Sequence, residues 1–135
     1  MAKNKIICDT DVMIDYWDQT KPRHLSTKTI LEESISLDNI VLSAITKMEL
    51  MLGAVNKADM LRITKKLRRF NIALISNEIT LTAFDLLETY RLSHGLLLPD
   101  SIIAATALIA DVELYTYNIK DFKFILQLKL YSPDL

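Results

Sequence analysis

The chain has 135 residues, 50% hydrophobic and 24% charged, which fits one globular domain with a real core over residues 1–135 and leaves no room for a second. A single cysteine excludes an internal disulfide and a cysteine metal cage. The net charge of −1 neither demands nor forbids nucleic acid, because binding depends on where cations cluster.

In chain order, residues 5–8 read as a short buried strand, in which Cys8 serves as a small hydrophobe. Asp9-Thr10-Asp11 then leads into a helical stretch over 12–17. Helical periodicity spans 27–36, a second strand covers 39–44, and helices follow over 46–55 and 58–70. A third strand is expected over 71–75, helices over 80–92 and 100–110, a fourth strand over 112–115 and a short edge strand over 129–131. Strands alternating with helices predict an α/β fold with a mostly parallel central sheet and helices on both faces. Ligands of such sheets sit at the carboxyl ends of the strands.

The apolar stretch 102–110 is broken by Thr106 and ends at Asp111, well short of the roughly 20 residues a membrane span needs. Lys3 and Lys5 precede Ile6, Ile7, Cys8 and then acids, unlike a secretory signal, so the expected compartment is the cytoplasm and no membrane partner is expected.

The acids fall in a pattern. Asp9 follows the first strand, where a turn or helix cap is the structural alternative. Glu49 follows the second, and Thr46-x-x-Glu49 also reads as a capping box. Asp100 opens the small-residue helix Ser101-Ile102-Ile103-Ala104-Ala105, where an N-cap is the structural alternative. Asp121 follows the fourth strand, where a turn would account for it. Each falls at a strand exit or at the start of the next helix, hence on one predicted edge. Carboxylates gathered there repel one another unless a cation joins them, and hard oxygen donors select magnesium or manganese over zinc. Such a site suits phosphoryl transfer, in which metal ions activate water and neutralise charge on the phosphate.

Arg62, Lys65, Lys66, Arg68 and Arg69, with Lys57 before them, fall in one helical stretch. A solvated helix face accounts for them; RNA contact, adding salt-dependent affinity, is the functional alternative. Met48, Met51, Leu52, Met60 and Leu61, together with Ile14, Tyr16 and Trp17, suit either a core or an adaptable partner surface.

Ile7-Cys8-Asp9-Thr10-Asp11-Val12-Met13-Ile14-Asp15, residues 43–55 with Glu49 and Gly53, residues 98–108 with Asp100, and residues 115–122 together resemble the PIN domain of VapC toxins, in order and spacing over nearly the whole chain. The resemblance implies a Rossmann-like α/β/α sandwich and a magnesium-dependent endoribonuclease of a type II toxin–antitoxin system. It also implies a homodimer silenced by a cognate antitoxin. Asp9, Glu49 and Asp100 match the family's catalytic core, with Asp9 and Asp100 as direct metal ligands and Glu49 shaping the cluster or orienting water.

Two positions depart from the family pattern. Asp11 stands where asparagine is common, adding a negative charge beside the site. Asn118 stands where many relatives carry a fourth aspartate, so that role is amide-filled or passes to Asp121; Asn118, Thr116 and Asp11 are the candidates to fill that fourth position or to contact substrate. His24 and His94 are expected to be surface or helix-end residues. The rivals are a haloacid-dehalogenase-like phosphatase, suggested by Asp9-x-Asp11, a phospho-signalling receiver, and a PIN-like binding protein without catalysis.

Overall fold

A computed structural model describes residues 4–133; the two ends of the expected domain, Lys3 among them, lie outside the described residues. The sheet is built from β1 (Ile6–Cys8), β2 (Ile40–Ser43), β3 (Asn71–Ala73) and β4 (Glu113–Tyr115). All pairings are parallel and the spatial order is β3-β2-β1-β4. Ile7 pairs with Val41 on one side and with Leu114 on the other, which places β1 in the middle.

Alternation along each strand sends side chains to opposite faces. Ile6, Cys8, Ile40, Leu42 and Tyr115 join one core layer with Val12, Met13, Leu31, Leu67 and Phe70. Ile7 and Leu114 join the other with Ile79, Ala83, Leu86, Ile103 and Ala104. Both faces are therefore covered, as continuous apolar strands require. Burying Ile7 completely contributes about 1.5–3 kcal/mol.

Helices α1 (Thr10–Trp17), α2 (His24–Thr29), α3 (Ala44–Met51), α4 (Lys57–Leu67), α5 (Asn77–His94) and α6 (Leu98–Ala110) complete the fold. Among the described residues none is long and apolar enough to cross a membrane. The expected helix over 27–36 divides into α2 and a π-helical turn, Ile30–Ile35, whose wider winding brings Ile30 and Ile35 to one buried face. Helix α5 starts earlier than expected because Ser76 caps it through the Ile79 N–H at 3.2 Å, and it ends at Gly95 in the left-handed region (φ 72°). The expected edge strand over 129–131 reduces to a single parallel bridge between Leu114 and Leu130.

Two capping expectations are overturned. Ser43, not Thr46, caps α3, accepting from the Ile45 N–H at 3.2 Å; Thr46 is buried one turn inside, and no capping box forms. Helix α6 begins at Leu98, with Pro99 in its first turn where a missing N–H costs nothing, so Asp100 lies within the helix and does not cap it. Both acids are thereby released from the structural duties their neighbours suggested.

Candidate active site

Asp9 leaves β1 and caps α1. Its Oδ1 accepts from the Thr10 N–H at 2.8 Å, and its backbone N–H donates to the Tyr115 carbonyl at 2.9 Å, fixing the ends of β1 and β4 together. Its Oδ2 accepts from the Thr116 hydroxyl at 2.8 Å. The capping alternative is thus correct for Asp9, and capping leaves the residue inside the acidic edge.

Glu49 projects from α3 toward the same edge. Its Oε1 accepts from the Thr10 hydroxyl at 2.7 Å, and that hydroxyl lies 3.2 Å from the Thr46 hydroxyl. Thr10 therefore joins α1 to α3 beside Asp9. Asp11, one residue into α1, accepts the Tyr117 N–H at 3.1 Å on Oδ2, while its buried Oδ1 has no hydrogen-bond partner.

Asp100 completes the arrangement from α6. Burial, then Asp9, Asp121, Glu49 and Asp11, push its carboxyl up to about 7. Burial and the charge of Asp9 also push Asp11 up to about 7, opposed by the Tyr117 N–H and by Arg23. Asp9 is raised mainly by burial, against the hydrogen bonds from Thr116 and Thr10. The chain thus assembles the predicted acids from four separate segments into one field, in which the charges of Asp9, Asp121, Glu49 and Asp11 all disfavour ionisation of Asp100.

Asp100 and Asp121 also line one cleft of about 150 Å³ with His94, Leu97 and Phe124. Asp121 closes a short 3-10 turn (Ile119–Asp121), its N–H donating to the Asn118 carbonyl at 3.0 Å. Asn118 is exposed and enters the network through its backbone, donating to the Thr116 hydroxyl at 3.0 Å.

The basic residues form no comparable cluster. Arg62 pairs with Asp59 at 2.6 Å and Arg69 with Asp38 at 2.9 Å. Lys66 lies 5.3 Å from the Trp17 ring centroid, while Lys65 and Arg68 are exposed. Trp17 ends α1, about 12 Å along its axis from Asp9. The apolar residues singled out with them divide: Tyr16, Trp17 and Met51 pack against the core, whereas Ile14, Met48, Leu52, Met60 and Leu61 are exposed.

Sequence reasoning passed over three groups. Thr10 was hidden between two acids, and Arg23 and Tyr117 belong to segments with no charge pattern. His94 does end a helix, as expected, and it stacks on Phe124 with ring centroids 4.4 Å apart, in the cleft that holds Asp100 and Asp121.

Apart from His94 in the Asp100–Asp121 cleft, the donors at this edge are carboxylates and threonine hydroxyls, a set that suits a hard divalent cation better than zinc. The orphaned Asp11 Oδ1 and the mutual repulsion at Asp100 are the features such a cation would relieve. Among the described residues no three of these side chains already stand in a metal-holding group.

A doubly covered parallel sheet with a carboxylate-rich edge defines an α/β domain suited to holding a divalent cation. Residues 6–123 match the model of the PIN domain family, and the chain belongs to that family. This removes the haloacid-dehalogenase and receiver alternatives. Over 91 residues, covering 67% of this chain and 68% of the relative, it is 32% identical to Ribonuclease VapC10 of Mycobacterium tuberculosis. Its fold is similar to a toxin–antitoxin complex from Klebsiella pneumoniae, with 35% identity, a TM-score of 0.73 and coverage of 92% of this chain and 95% of that one. It is also similar to VapBC-1 from nontypeable Haemophilus influenzae, with 25% identity, a TM-score of 0.71 and coverage of 93% and 96%.

Proposed function

We propose that this chain is a metal-dependent endoribonuclease, the toxin of a type II toxin–antitoxin pair, hydrolysing RNA phosphodiester bonds in the cytoplasm. The observation that carries this reading is the convergence of Asp9, Glu49, Asp11 and Asp121 on Asp100 at the carboxyl edge of the sheet. The relatives that share the fold are a ribonuclease and toxin–antitoxin proteins.

Asp9 and Asp100 would hold magnesium, or manganese, and Asp121, not Asn118, takes the fourth acidic position. When bound, the cation lowers the pKa of an attacking water and neutralises charge on the phosphate. Thr116 and the Thr10 N–H fix both oxygens of Asp9. Thr10 ties down one oxygen of Glu49, leaving the other to orient water toward phosphorus. Water forms the new P–O bond and gives up a proton to the free oxygen of Glu49, while the bond from phosphorus to the ribose oxygen breaks and that leaving oxygen takes up a proton.

Exposed apolar residues Ile14, Met48, Leu52 and Leu61 on α1, α3 and α4 offer a surface for the antitoxin. Leu81 and Phe84 on the outer face of α5 offer a second, for a homodimer. The test is cleavage of single-stranded RNA by the purified protein in magnesium. Cleavage should stop in EDTA; undiminished cleavage there defeats the metal reading, and RNA binding without cleavage makes the chain a PIN-like binding protein.

A further inference from the structure

An acidic edge repels the polyanion it is meant to cut, and a cation for the scissile phosphate does not by itself hold the strand on either side. The dominant influences on Asp9, Asp11 and Asp100 are burial, hydrogen bonds and carboxylates, and the cation among them is Arg23.

Arg23 is held with unusual economy. Its Nε donates to Oδ2 of the buried Asp15 at 2.8 Å, and its guanidinium lies 3.9 Å from the centroid of the Tyr117 ring. That ring is fixed in turn: the Tyr117 hydroxyl bonds the Thr27 and Tyr115 hydroxyls, and its backbone N–H holds Asp11. The segment bearing Arg23 is also tied, with the Lys21 N–H on the Asp18 carbonyl at 3.1 Å and His24 Nδ1 3.0 Å from the Asp15 carbonyl.

The Arg23–Asp15 pair is asymmetric in its exposure. Here Asp15 is buried while the Arg23 side chain stays 54% exposed. Among the described residues, only Nε of its fork has a hydrogen-bond partner, leaving the two terminal nitrogens as a planar donor edge on a guanidinium stacked against Tyr117, the residue whose backbone N–H holds Asp11. That geometry matches two oxygens of one phosphate.

We propose that Arg23 is a phosphate clamp of the acidic site, its free guanidinium edge gripping the RNA phosphate next to the bond being cut. Asp15 and Tyr117 are the positioning residues that aim it. This inference rests on the ribonuclease reading for its substrate, yet it stands on binding and is tested separately from cleavage.

The experiment measures binding of a fluorescent single-stranded RNA oligonucleotide in magnesium, in an Asp100→Asn background, at several salt concentrations. Arg23→Gln should weaken binding roughly tenfold and reduce the salt slope by about 0.7, the share of one phosphate contact on a single strand. Arg23→Lys keeps a cation for Asp15, and hence the fold, but a point-charge ammonium lacks the planar two-nitrogen edge that matches two phosphate oxygens, so affinity should still fall several-fold. In the otherwise wild-type chain the same changes should raise KM more than they lower kcat, at an unchanged melting temperature for Arg23→Lys. If both variants bind with wild-type affinity and salt slope while the wild type cleaves RNA, the clamp is overturned and the ribonuclease reading survives. If binding depends on Arg23 but the wild type never cleaves, the clamp stands and that reading falls.

Discussion

The acidic edge and the basic face of α4 are both conspicuous as charge in the sequence, and the fold treats them in opposite ways. The acids come from four distant segments and are brought together, partly buried and cross-connected by Thr10, Thr116 and the Tyr117 N–H. The bases are neighbours in sequence, yet Arg62 and Arg69 turn to separate partners and Lys65 and Arg68 stand in solvent. Adjacency along a helix spreads charge around a cylinder. Assembly at the end of a sheet concentrates it, and concentration against self-repulsion marks a site with work to do.

The contrast is most sharply broken or upheld by amide substitutions at the edge. Asp100→Asn and Glu49→Gln should lower RNA cleavage on the order of 100-fold or more while leaving metal-free melting unchanged or higher, since each removes a repelling charge. Neither residue caps its helix, so no cap is lost. Full cleavage by both variants would return the two acids to the status of the surface bases.

Next in size is the response to pH and metal. Asp11 and Asp100 are each raised from 3.8 to about 7, so the folded chain binds protons more tightly than the unfolded one. Their contribution to metal-free stability is fully present below about 4 and is lost as pH rises through about 7. Magnesium at ten times its dissociation constant should then restore about 1.4 kcal/mol, or about 3–6 °C in melting temperature, with most of that gain absent in Asp100→Asn. Melts across pH with and without magnesium would show this, and a flat profile would contradict it.

A smaller effect is expected at Thr116. Thr116→Val removes a 2.8 Å hydrogen bond that holds the Asp9 carboxyl down, at a stability cost of about 1 kcal/mol. Cleavage should persist at saturating magnesium but require several-fold more of it. A magnesium titration of the rate separates this from an unchanged requirement.

Least is expected of the basic face. Lys65→Glu with Arg68→Glu should weaken RNA binding only a few-fold, with a fall in salt slope of up to about 1.4 if both touch phosphate. No change in either quantity would make α4 a solvated face and complete its contrast with the edge.

Alternating apolar strands and periodic helices were sufficient to read an α/β fold with a mostly parallel sheet, because the 2.0 and 3.6 residue periods are local properties of the backbone. The positions of Asp9, Glu49, Asp100 and Asp121 after strands or at helix starts were legible for the same reason, and so was the resemblance to PIN domains. Helix ends were less legible: α3, α5 and α6 start two or three residues before the reading placed them, the first two behind the caps Ser43 and Ser76 and the third with Pro99 in its first turn.

Only tertiary structure decided which groups each acid meets. Thr46-x-x-Glu49 has the spacing of a cap, but Glu49 is bound by a hydroxyl from α1, 39 residues away in the chain. Arg23 and Tyr117 carry no local signal; they meet because β4 lies beside β1 and α2 folds back along α1. A sequence fixes the chemical identity and local period of its residues. Proximity between distant segments, and the burial that shifts a carboxyl to about 7, exist only once the sheet has closed around them.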